Sequence, residues 1–234
     1  MTEGHSLIVG LGEVGQALEQ TLMHVHKISS LDIPTGPIIH IGRPIDVMHI
    51  CFPYSKEFIA QVQGYQVRFR PRYTVIHSTV PVGTCSTLGV HHSPVRGSHP
   101  KLAESMRMFT TYLAPGNNYL VDYFTQAGMK VSLIDKPEET EAGKLWELAT
   151  YAWNIMLEKE IHEYCEAQGL DFDVVYRSFA ESYNQGYSDM GMGHFVKPVL
   201  SHVPGPIGGH CVLPGCEMLD DELITSVVLG KVLA

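Results

Sequence analysis

Three glycines near the start of the chain follow an apolar run at the spacing G-x-G-x-x-G. Residues 7–9 are apolar enough for a buried strand, and residues 10–15 read G-L-G-E-V-G. Gly10 permits a tight bend, Gly12 lets a pyrophosphate approach the backbone, and Gly15 lets the following helix pack close to the strand. The helix N-terminus adds unpaired N–H groups and the positive end of a dipole. The residues predicted to contact a dinucleotide here are Gly10, Gly12, Glu13, Val14 and Gly15.

An acidic residue follows the next predicted strand, 25–31. Asp32 lies about 20 residues beyond the glycine turn, where a carboxylate accepts hydrogen bonds from the adenosine ribose and repels a 2′-phosphate. This position predicts NAD as the cofactor, in preference to NADP. Two alternatives stay open: S-adenosylmethionine in a similar glycine turn, and an ordinary turn beside a surface aspartate.

The bulk composition is that of a globular protein and argues against several kinds of partner. The chain has 234 residues and a net charge of −9, which disfavours nucleic acid or an anionic membrane as the main partner. No apolar run reaches the roughly 18 residues that span a bilayer, and no basic segment precedes an apolar one at the N-terminus. We therefore expect a cytoplasmic protein that acts on a small molecule.

The cysteines and histidines show no recognisable disulfide or metal pattern. The five cysteines are an odd number without a C-x-x-C pair, which favours free thiols in a reducing compartment. The 13 histidines include the pairs His24/His26 and His91/His92, but neither pair has zinc-type spacing with further ligands nearby. We predict no metal site.

Short strands and helices alternate through residues 1–135. The breaker-rich stretch 33–37 predicts a trimmed crossover with a short segment at 38–41, and Pro53 should end the third strand before a helix capped by Ser55. Such alternation predicts an α/β fold with a Rossmann-like, doubly wound and mostly parallel sheet. The predicted strands after the first two are 46–52, 73–78, 91–94, 112–114 and 130–134, with a helix at 120–126.

The second predicted domain, residues 136–234, begins with a long helix. Asp135 and Glu138 have capping-box spacing, and apolar residues recur at helical steps as far as the C-cap glycine Gly169. The domain should be a small helical region for dimerisation or substrate binding. The later predicted elements are helices at 174–182 and 223–233 and, between them, a loop at 198–214 rich in proline, glycine and histidine.

Apolar side chains surround much of this long helix. Trp146, Leu148 and Trp153 widen the apolar surface beyond the single stripe that would face one partner. We expect one face to lie on the first domain and another on a second copy of the chain, which predicts a homodimer. The alternative is that the remaining C-terminal segments cover the helix.

Five short motifs, in order along most of the chain, resemble the UDP-glucose/GDP-mannose dehydrogenase family. The glycine turn with Asp32 is similar to its NAD fingerprint, and residues 46–53 are similar to its third strand. The sequence S-T-V-P-V-G-T at 78–84 is close to the family motif S-T-V-P-x-G-T. E-A-G-K-L at 141–145 resembles the start of the family's central helix, and G-G-H-C at 208–211 matches its cysteine loop.

The resemblance implies an NAD-dependent oxidoreductase that oxidises the primary alcohol, or an equivalent carbon, of a nucleotide sugar. Cys211 would trap the aldehyde as a thiohemiacetal and then carry a thioester, which is hydrolysed to the acid. Lys144 would stabilise the developing oxyanion, Thr79 would order a catalytic water, and Glu141 would support this network. The cofactor contacts implied beyond the glycine turn are Pro53, Ser78 and Thr79.

The chain departs from the family at three catalytic positions. Val95 stands where the family has glutamate, Leu148 replaces an asparagine one turn after the lysine, and no aspartate follows Cys211 in register, although Asp220 is near. The family also continues into a further nucleotide-binding domain at the point where this sequence reaches Ala234. The substrate therefore stays open, and the alternatives are an NAD-binding module without catalysis and a transferase that uses S-adenosylmethionine.

Overall fold

The computed structural model describes residues 5–32, 44–98, 100–207, 211–219 and 222–230. The chain divides into two compact units, Met1–Leu145 and Trp146–Ala234. The predicted domain division between residues 135 and 136 stays a prediction, and the predicted crossover at 33–41 lies outside the described residues. None of the helices in the described ranges is long and apolar enough to cross a membrane.

Parallel strands organise the first unit. The strands within its described residues are β1 (His5–Val9), β2 (Lys27–Leu31), β3 (Val47–Ile50), β4 (Tyr73–Ile76), β5 (His91–His92), β6 (Thr110–Leu113) and β7 (Lys130–Leu133). The first five form one parallel sheet in the order β2-β1-β3-β4-β5, and β6 pairs in parallel with β7. The predicted α/β fold with a parallel sheet is confirmed.

Helices cover both faces of the five-stranded sheet. They are α1 (Glu13–Leu22), α2 (Phe58–Phe69), α3 (Thr84–Leu88), α4 (Leu102–Met108) and α5 (Asn118–Gln126). Buried side chains of α1, α4 and α5 form one apolar core with one face of the sheet, and those of α2 and α3 form a second core with the other. The central strands β1 and β3 are buried on both faces, which explains their nearly continuous apolar sequence.

The strand order reverses between β1 and β3. After β1 the chain passes to β2 on one side, and after β2 it returns to β3 on the other side of β1. In open parallel sheets a ligand crevice forms outside the carboxyl ends of the strands at such a point. The glycine turn that follows β1 lies at this position, beside residues 51 and 52 that follow β3.

Helix α6 (Pro137–Gln168) is the long helix that the sequence predicts, and the two units divide within it. It begins at Pro137, so Lys136 rather than Asp135 occupies the flanking position; proline suits the first helical turn because an N–H there would be unpaired. Gly169 follows the last turn with a φ of +65°, as expected for a C-cap glycine. Helix α2 likewise starts at Phe58, later than Ser55, whose hydroxyl accepts a hydrogen bond from the backbone of Glu57.

The second unit is helical and has a small core. After α6 come a π-helix (Asp173–Ser178), α7 (Phe179–Asp189), a short 3₁₀ helix (Gly193–Phe195), α8 (Val212–Glu217) and α9 (Leu223–Val228). Its core is formed by Ala149, Ala152, Val212, Cys216 and Val228. The prediction of a loop as far as residue 214 was wrong at its end, because residues 212–214 already belong to α8 and Val212 packs in this core.

Candidate functional site

The three glycines of the turn after β1 occupy different environments. Gly10 has a φ of +96°, and a Cβ there would lie 2.9 Å from the backbone nitrogen of Phe52. A Cβ on Gly15 would lie 1.9 Å from the carbonyl oxygen of Gly10. At Gly12 the φ is −68° and an added Cβ would meet no atom within 4 Å. The fold therefore requires glycine at positions 10 and 15 but not at position 12.

The open space at Gly12 adjoins the N-terminus of α1. Gly12 is the N-cap residue and Glu13 begins the helix, both exposed, while Val14 packs against the first core. The first N–H groups of a helix lack intrahelical partners and attract anions. Packing does not require a glycine at position 12. The absence of a side chain there leaves room for a diphosphate to reach these N–H groups.

Asp32 lies beside this turn at the end of β2. Its carboxylate Oδ1 accepts a hydrogen bond from the backbone N–H of Leu11 at 3.3 Å, and the N–H of Gly10 donates to the carbonyl of Leu31 at 2.8 Å. The Asp32 side chain is exposed. A carboxylate held next to such a glycine turn, with its surface accessible, can accept hydrogen bonds from ribose hydroxyls.

The loops after β3 and β4 are joined by a buried hydroxyl. Ser78 donates a hydrogen bond of 2.6 Å to the carbonyl of Phe52, the residue before Pro53. Pro53 itself is exposed, and Thr79 is half-buried. The predicted cofactor residues Pro53, Ser78 and Thr79 therefore follow neighbouring strands at the same edge of the sheet as the glycine turn.

The start of α6 is attached to the loop that follows β4. The Glu141 carboxylate is fully buried and accepts hydrogen bonds from the backbone N–H groups of Gly83 at 2.6 Å and Cys85 at 2.8 Å. On the same helix, Glu138 accepts a hydrogen bond from the hydroxyl of Ser86. Because the peptide N–H groups of α3's first turn would otherwise be unpaired, Glu141 acts as their cap.

A third link between α6 and this edge passes through His92 on β5. Its Nδ1 lies 2.8 Å from the hydroxyl of Thr140, and its Nε2 lies 3.3 Å from the carbonyl of Ser78. The pKa of His92 is lowered to about 3, chiefly by burial; the hydrogen bond to the Ser78 carbonyl opposes this shift, and the proximity of His77 and Lys144 adds to it. Half-buried Lys144 is thus close to His92, and the structure groups Ser78, Glu141 and Lys144 around this edge.

Cys211 belongs to the second unit, whereas Lys144, Thr79 and Glu141 belong to the first. It is exposed and directly precedes α8, and the other three residues of its G-G-H-C motif lie outside the described residues. The remaining cysteines, Cys51, Cys85, Cys165 and Cys216, are buried, and all five thiols are free.

Val95 and Leu148, the two positions at which the resemblance implied polar residues, carry side chains that pack. Val95 lies against the core on the α1 side of the sheet. Leu148 lies against α8, where a Cβ on Gly215 would come within 2.7 Å of its Cδ1. Asp220 lies outside the described residues. At these two positions the side chains serve packing within the chain.

Sequence reasoning missed the buried histidines at the carboxyl edge. His77 and His92 each precede a serine at the end of a strand, and the repeated dipeptide H-S is the signal that could have identified them. His77 is hydrogen-bonded to Ser93 and to His49. Within the described ranges no group of three metal-ligating side chains is placed to hold an ion.

No protein family matches the chain by sequence, and no curated protein matches it. Solved structures do share its fold. UDP-D-ManNAc dehydrogenase from Pyrococcus horikoshii is 14% identical with a TM-score of 0.75, over 97% of this chain and 68% of that one. 3-Hydroxyisobutyrate dehydrogenase from Mycobacterium tuberculosis, solved with L-serine, is 14% identical with a TM-score of 0.72, over 98% of this chain and 92% of that one.

A third neighbour is the UDP-N-acetyl-mannosamine dehydrogenase of S. aureus, 16% identical with a TM-score of 0.63, over 97% of this chain and 68% of that one. A reductive aminase from Aspergillus terreus, solved with NADPH and ethyl levulinate, is 10% identical with a TM-score of 0.57, over 82% of this chain and 76% of that one. At such identities the likeness establishes the fold, which is that of Rossmann-like dehydrogenases.

Proposed function

We propose that this chain is a dinucleotide-dependent oxidoreductase that binds NAD at the glycine turn of its first unit. The observation that carries the proposal is the difference among the three glycines. Gly10 and Gly15 are needed for packing, whereas Gly12 faces open space at the start of α1. A pyrophosphate approaching the backbone accounts for a glycine that packing does not explain.

The proposal specifies NAD over NADP because of Asp32. Its exposed carboxylate, held by the N–H of Leu11, would accept from the ribose hydroxyls and repel a 2′-phosphate. Structural neighbours include proteins solved with NADP⁺ and with NADPH, so the choice of dinucleotide has to be measured on this chain.

Isothermal titration with NAD, NADP and S-adenosylmethionine tests this assignment. We expect NAD to bind about tenfold or more tightly than NADP, and Asp32→Asn to narrow the difference by removing the charge. Equal or tighter binding of NADP would remove Asp32 from its assigned role. Binding of S-adenosylmethionine alone would support the transferase alternative.

For the chemistry, we propose oxidation of a CH–OH group on a small molecule, with nucleotide sugars as the first class to test. The support is the sequence resemblance together with the neighbours from P. horikoshii and S. aureus. When bound, NAD would accept a hydride from the alcohol carbon. Lys144 would stabilise the oxyanion and Thr79 would orient a water, while Glu141 would hold the loop after β4 through Gly83 and Cys85.

Cys211 would provide covalent catalysis in this proposal. Its thiolate would add to the aldehyde carbon, and the resulting thiohemiacetal would give up its hydroxyl proton and a second hydride, accepted by a second molecule of NAD, to leave a thioester. Water would then displace the thiol and release the acid. The support for this role is the G-G-H-C motif and the exposure of the Cys211 side chain.

Labelling with iodoacetamide tests the role of Cys211. The other four cysteines are buried, so Cys211 should be labelled faster than they are simply because it is exposed. Faster labelling by itself therefore does not indicate catalysis. The informative result is the effect of NAD: we expect the cofactor to change the Cys211 rate, and Cys211→Ser to bind NAD normally while forming no acid. Indifference of Cys211 to NAD, measured by mass spectrometry, would remove covalent catalysis from the proposal.

A second candidate function is an NAD-binding module without catalysis. The observation that favours it is the apolar packing of Val95 and Leu148 at positions that are polar in the family. NAD binding without reduction of NAD by any of a panel of alcohols and nucleotide sugars would support this candidate. Reduction of NAD by one of them would exclude it.

We also propose that the chain forms a homodimer in a reducing cytoplasm. The free thiols support the compartment. The support for the dimer is a stripe along α6: Trp146, Trp153, Leu157 and Tyr164 are separated by helical repeats and are 37%, 40%, 50% and 58% exposed. A second copy of α6 would cover this stripe.

A further inference from the structure

Two buried histidines form hydrogen bonds across the ends of β4 and β5, each to the backbone of the neighbouring loop. His77 follows β4, and its Nδ1 lies 2.8 Å from the carbonyl oxygen of Ser93. His92 ends β5, and its Nε2 lies 3.3 Å from the carbonyl oxygen of Ser78. Each histidine directly precedes the serine that the other one contacts. The two side chains therefore link the loops that follow neighbouring strands, beyond the last paired residues Ile76 and His92.

The partners determine where the protons lie. A carbonyl oxygen only accepts, so the hydrogen must be on Nδ1 of His77 and on Nε2 of His92. The other nitrogen of the neutral His77 ring then accepts a hydrogen bond from Nδ1 of His49 at 2.9 Å. The single hydrogen of the Thr140 hydroxyl is directed to the carbonyl of Pro137 at 2.9 Å, and the same hydroxyl lies 2.8 Å from Nδ1 of His92, so for His92 the proton position rests on the Ser78 carbonyl.

The arrangement continues into the core from His49. The Nε2 of His49 accepts from the hydroxyl of Tyr123 at 3.0 Å, and this oxygen accepts from the hydroxyl of Ser6 at 2.6 Å. Each ring nitrogen of His49, His77 and His92 therefore has a partner. The pKa values of His77 and His92 are lowered to about 4 and about 3, chiefly by burial, so both rings are neutral near pH 7.

We propose that His77 and His92 are positioning residues that hold the loops after β4 and β5 in the geometry required for cofactor binding. The inference rests on the proposed function, since the loop after β4 carries Ser78 and Thr79. The backbone ladder weakens here: Ser93 donates to Ile76 at 2.8 Å, but the next bond, from Val95 to the carbonyl of His77, is 3.4 Å long. The side-chain bonds fix the loops where backbone pairing ends.

The ring tautomers test the geometry without a cofactor. Long-range ¹H–¹⁵N NMR of histidine-labelled protein at pH 7 should show His77 as the Nδ1–H tautomer and His92 as the Nε2–H tautomer. Assignment comes from the variants His77→Asn and His92→Gln, each of which removes one set of signals. A protonated ring, or the opposite tautomer at either position, would overturn the proposal.

Cofactor titration tests the consequence. His92→Gln keeps a donor for the carbonyl of Ser78, and His77→Asn keeps a donor for that of Ser93, whereas leucine at either position keeps none. We expect each leucine variant to raise the Kd for NAD about tenfold, and the amide variants to remain within about threefold of the wild type. The matched control is His26→Leu, because His26 stacks on Tyr123 and contacts neither loop.

Titrations are made well below the melting temperature of each variant, so that lost stability does not appear as lost affinity. If the leucine variants bind NAD as the His26→Leu control does, the positioning role is refuted while the proposed function stands. If the wild type itself binds no dinucleotide, both the proposed function and the positioning role fail.

Discussion

At the residue scale, the glycine turn contains two glycines that the fold requires and one that the fold does not require. Gly10 and Gly15 have neighbours that exclude a side chain, and Gly12 has none. Burial and backbone geometry explain the first two positions without any reference to function. Only the third points to a ligand, and it is therefore the most informative single residue of the turn.

Replacing Gly12 by alanine should leave the fold intact and impair dinucleotide binding. The φ of −68° suits alanine, and the new methyl group meets no atom of the protein, so the free energy of unfolding should change by less than about 1 kcal/mol. The Kd for NAD should rise about tenfold or more, because the methyl group occupies the approach of the pyrophosphate. Urea unfolding and isothermal titration measure the two quantities.

Gly15→Ala is the matched comparison for this prediction. Its Cβ would lie 1.9 Å from the carbonyl oxygen of Gly10, so the helix or the turn must shift. We expect a loss of about 1–3 kcal/mol in the free energy of unfolding. Unchanged NAD affinity in a stable Gly12→Ala protein would contradict the placement of the cofactor.

At the element scale, α6 holds the loop after β4 through the side chains of its first two turns. Glu141 is the central contact, since both of its oxygens bind peptide N–H groups of Gly83 and Cys85. The resemblance assigned Glu141 to a catalytic network. The structure gives it a supporting contact to the backbone, which leaves Lys144 on the same helix close to His92.

Glu141→Gln should destabilise the first unit by about 1.5–3 kcal/mol. An amide offers one oxygen in place of two and sets its NH₂ group against a peptide N–H in a buried position. Glu139→Gln is the control, because Glu139 lies near Glu141 on the same helix, in its first turn, and is exposed. Urea unfolding of both variants checks the prediction; an equal, small effect at the two positions would show that the Glu141 contacts contribute little.

The histidines at the sheet edge should make folding stability depend on pH. The pKa values of His49, His77 and His92 are lowered below 6.5, chiefly by burial, so the folded chain keeps these rings neutral. Unfolded histidine binds a proton near pH 6.5. The contribution of these rings to the free energy of unfolding is therefore complete above about pH 6.5. It is lost as the pH falls from there toward the pKa values of the folded chain, at up to about 1.4 kcal/mol per pH unit for each ring.

Urea unfolding between pH 7.5 and about pH 4.5 measures how the free energy of unfolding changes with pH. Most carboxylates titrate below this range. The exposed His24 provides the control, since His24→Gln should leave the slope unchanged. His77→Asn should reduce it by one proton's contribution. A flat profile over this range would mean that the folded and unfolded chains take up protons equally, which would contradict the lowered pKa values of the buried rings.

At the scale of the whole molecule, the second unit leaves much apolar surface uncovered. Neither the π-helix nor α7 contains a buried residue, and Phe179 is 73% exposed. The stripe of Trp146, Trp153, Leu157 and Tyr164 adds to this surface. Monomeric proteins seldom leave so large an apolar area in contact with water.

Sedimentation velocity at micromolar concentration should therefore give the mass of a dimer. Trp153→Glu should shift the chain toward the monomer, because it places a charge in the stripe that a second copy would cover. The control is Glu163→Gln, which changes an exposed residue of α6 without adding or removing apolar surface. A monomeric wild type would refute the homodimer.

The sequence by itself determined the features that depend on local spacing. The glycine turn, the alternation of strands and helices and the long helix could all be predicted, because turn geometry and hydrophobic periodicity act over a few neighbouring residues. The prediction of a doubly wound sheet followed from that alternation. The acidic residue after the second strand was identified in the same way.

Only the tertiary structure decided what the polar side chains do. Glu141 meets Gly83 and Cys85, His77 meets Ser93, and His92 meets Ser78 because the chain brings distant segments to one edge of the sheet. A sequence pattern does not specify such partners. Hydrogen bonds form between whichever donors and acceptors the fold leaves buried together, and a buried polar group is stable only when it has such a partner.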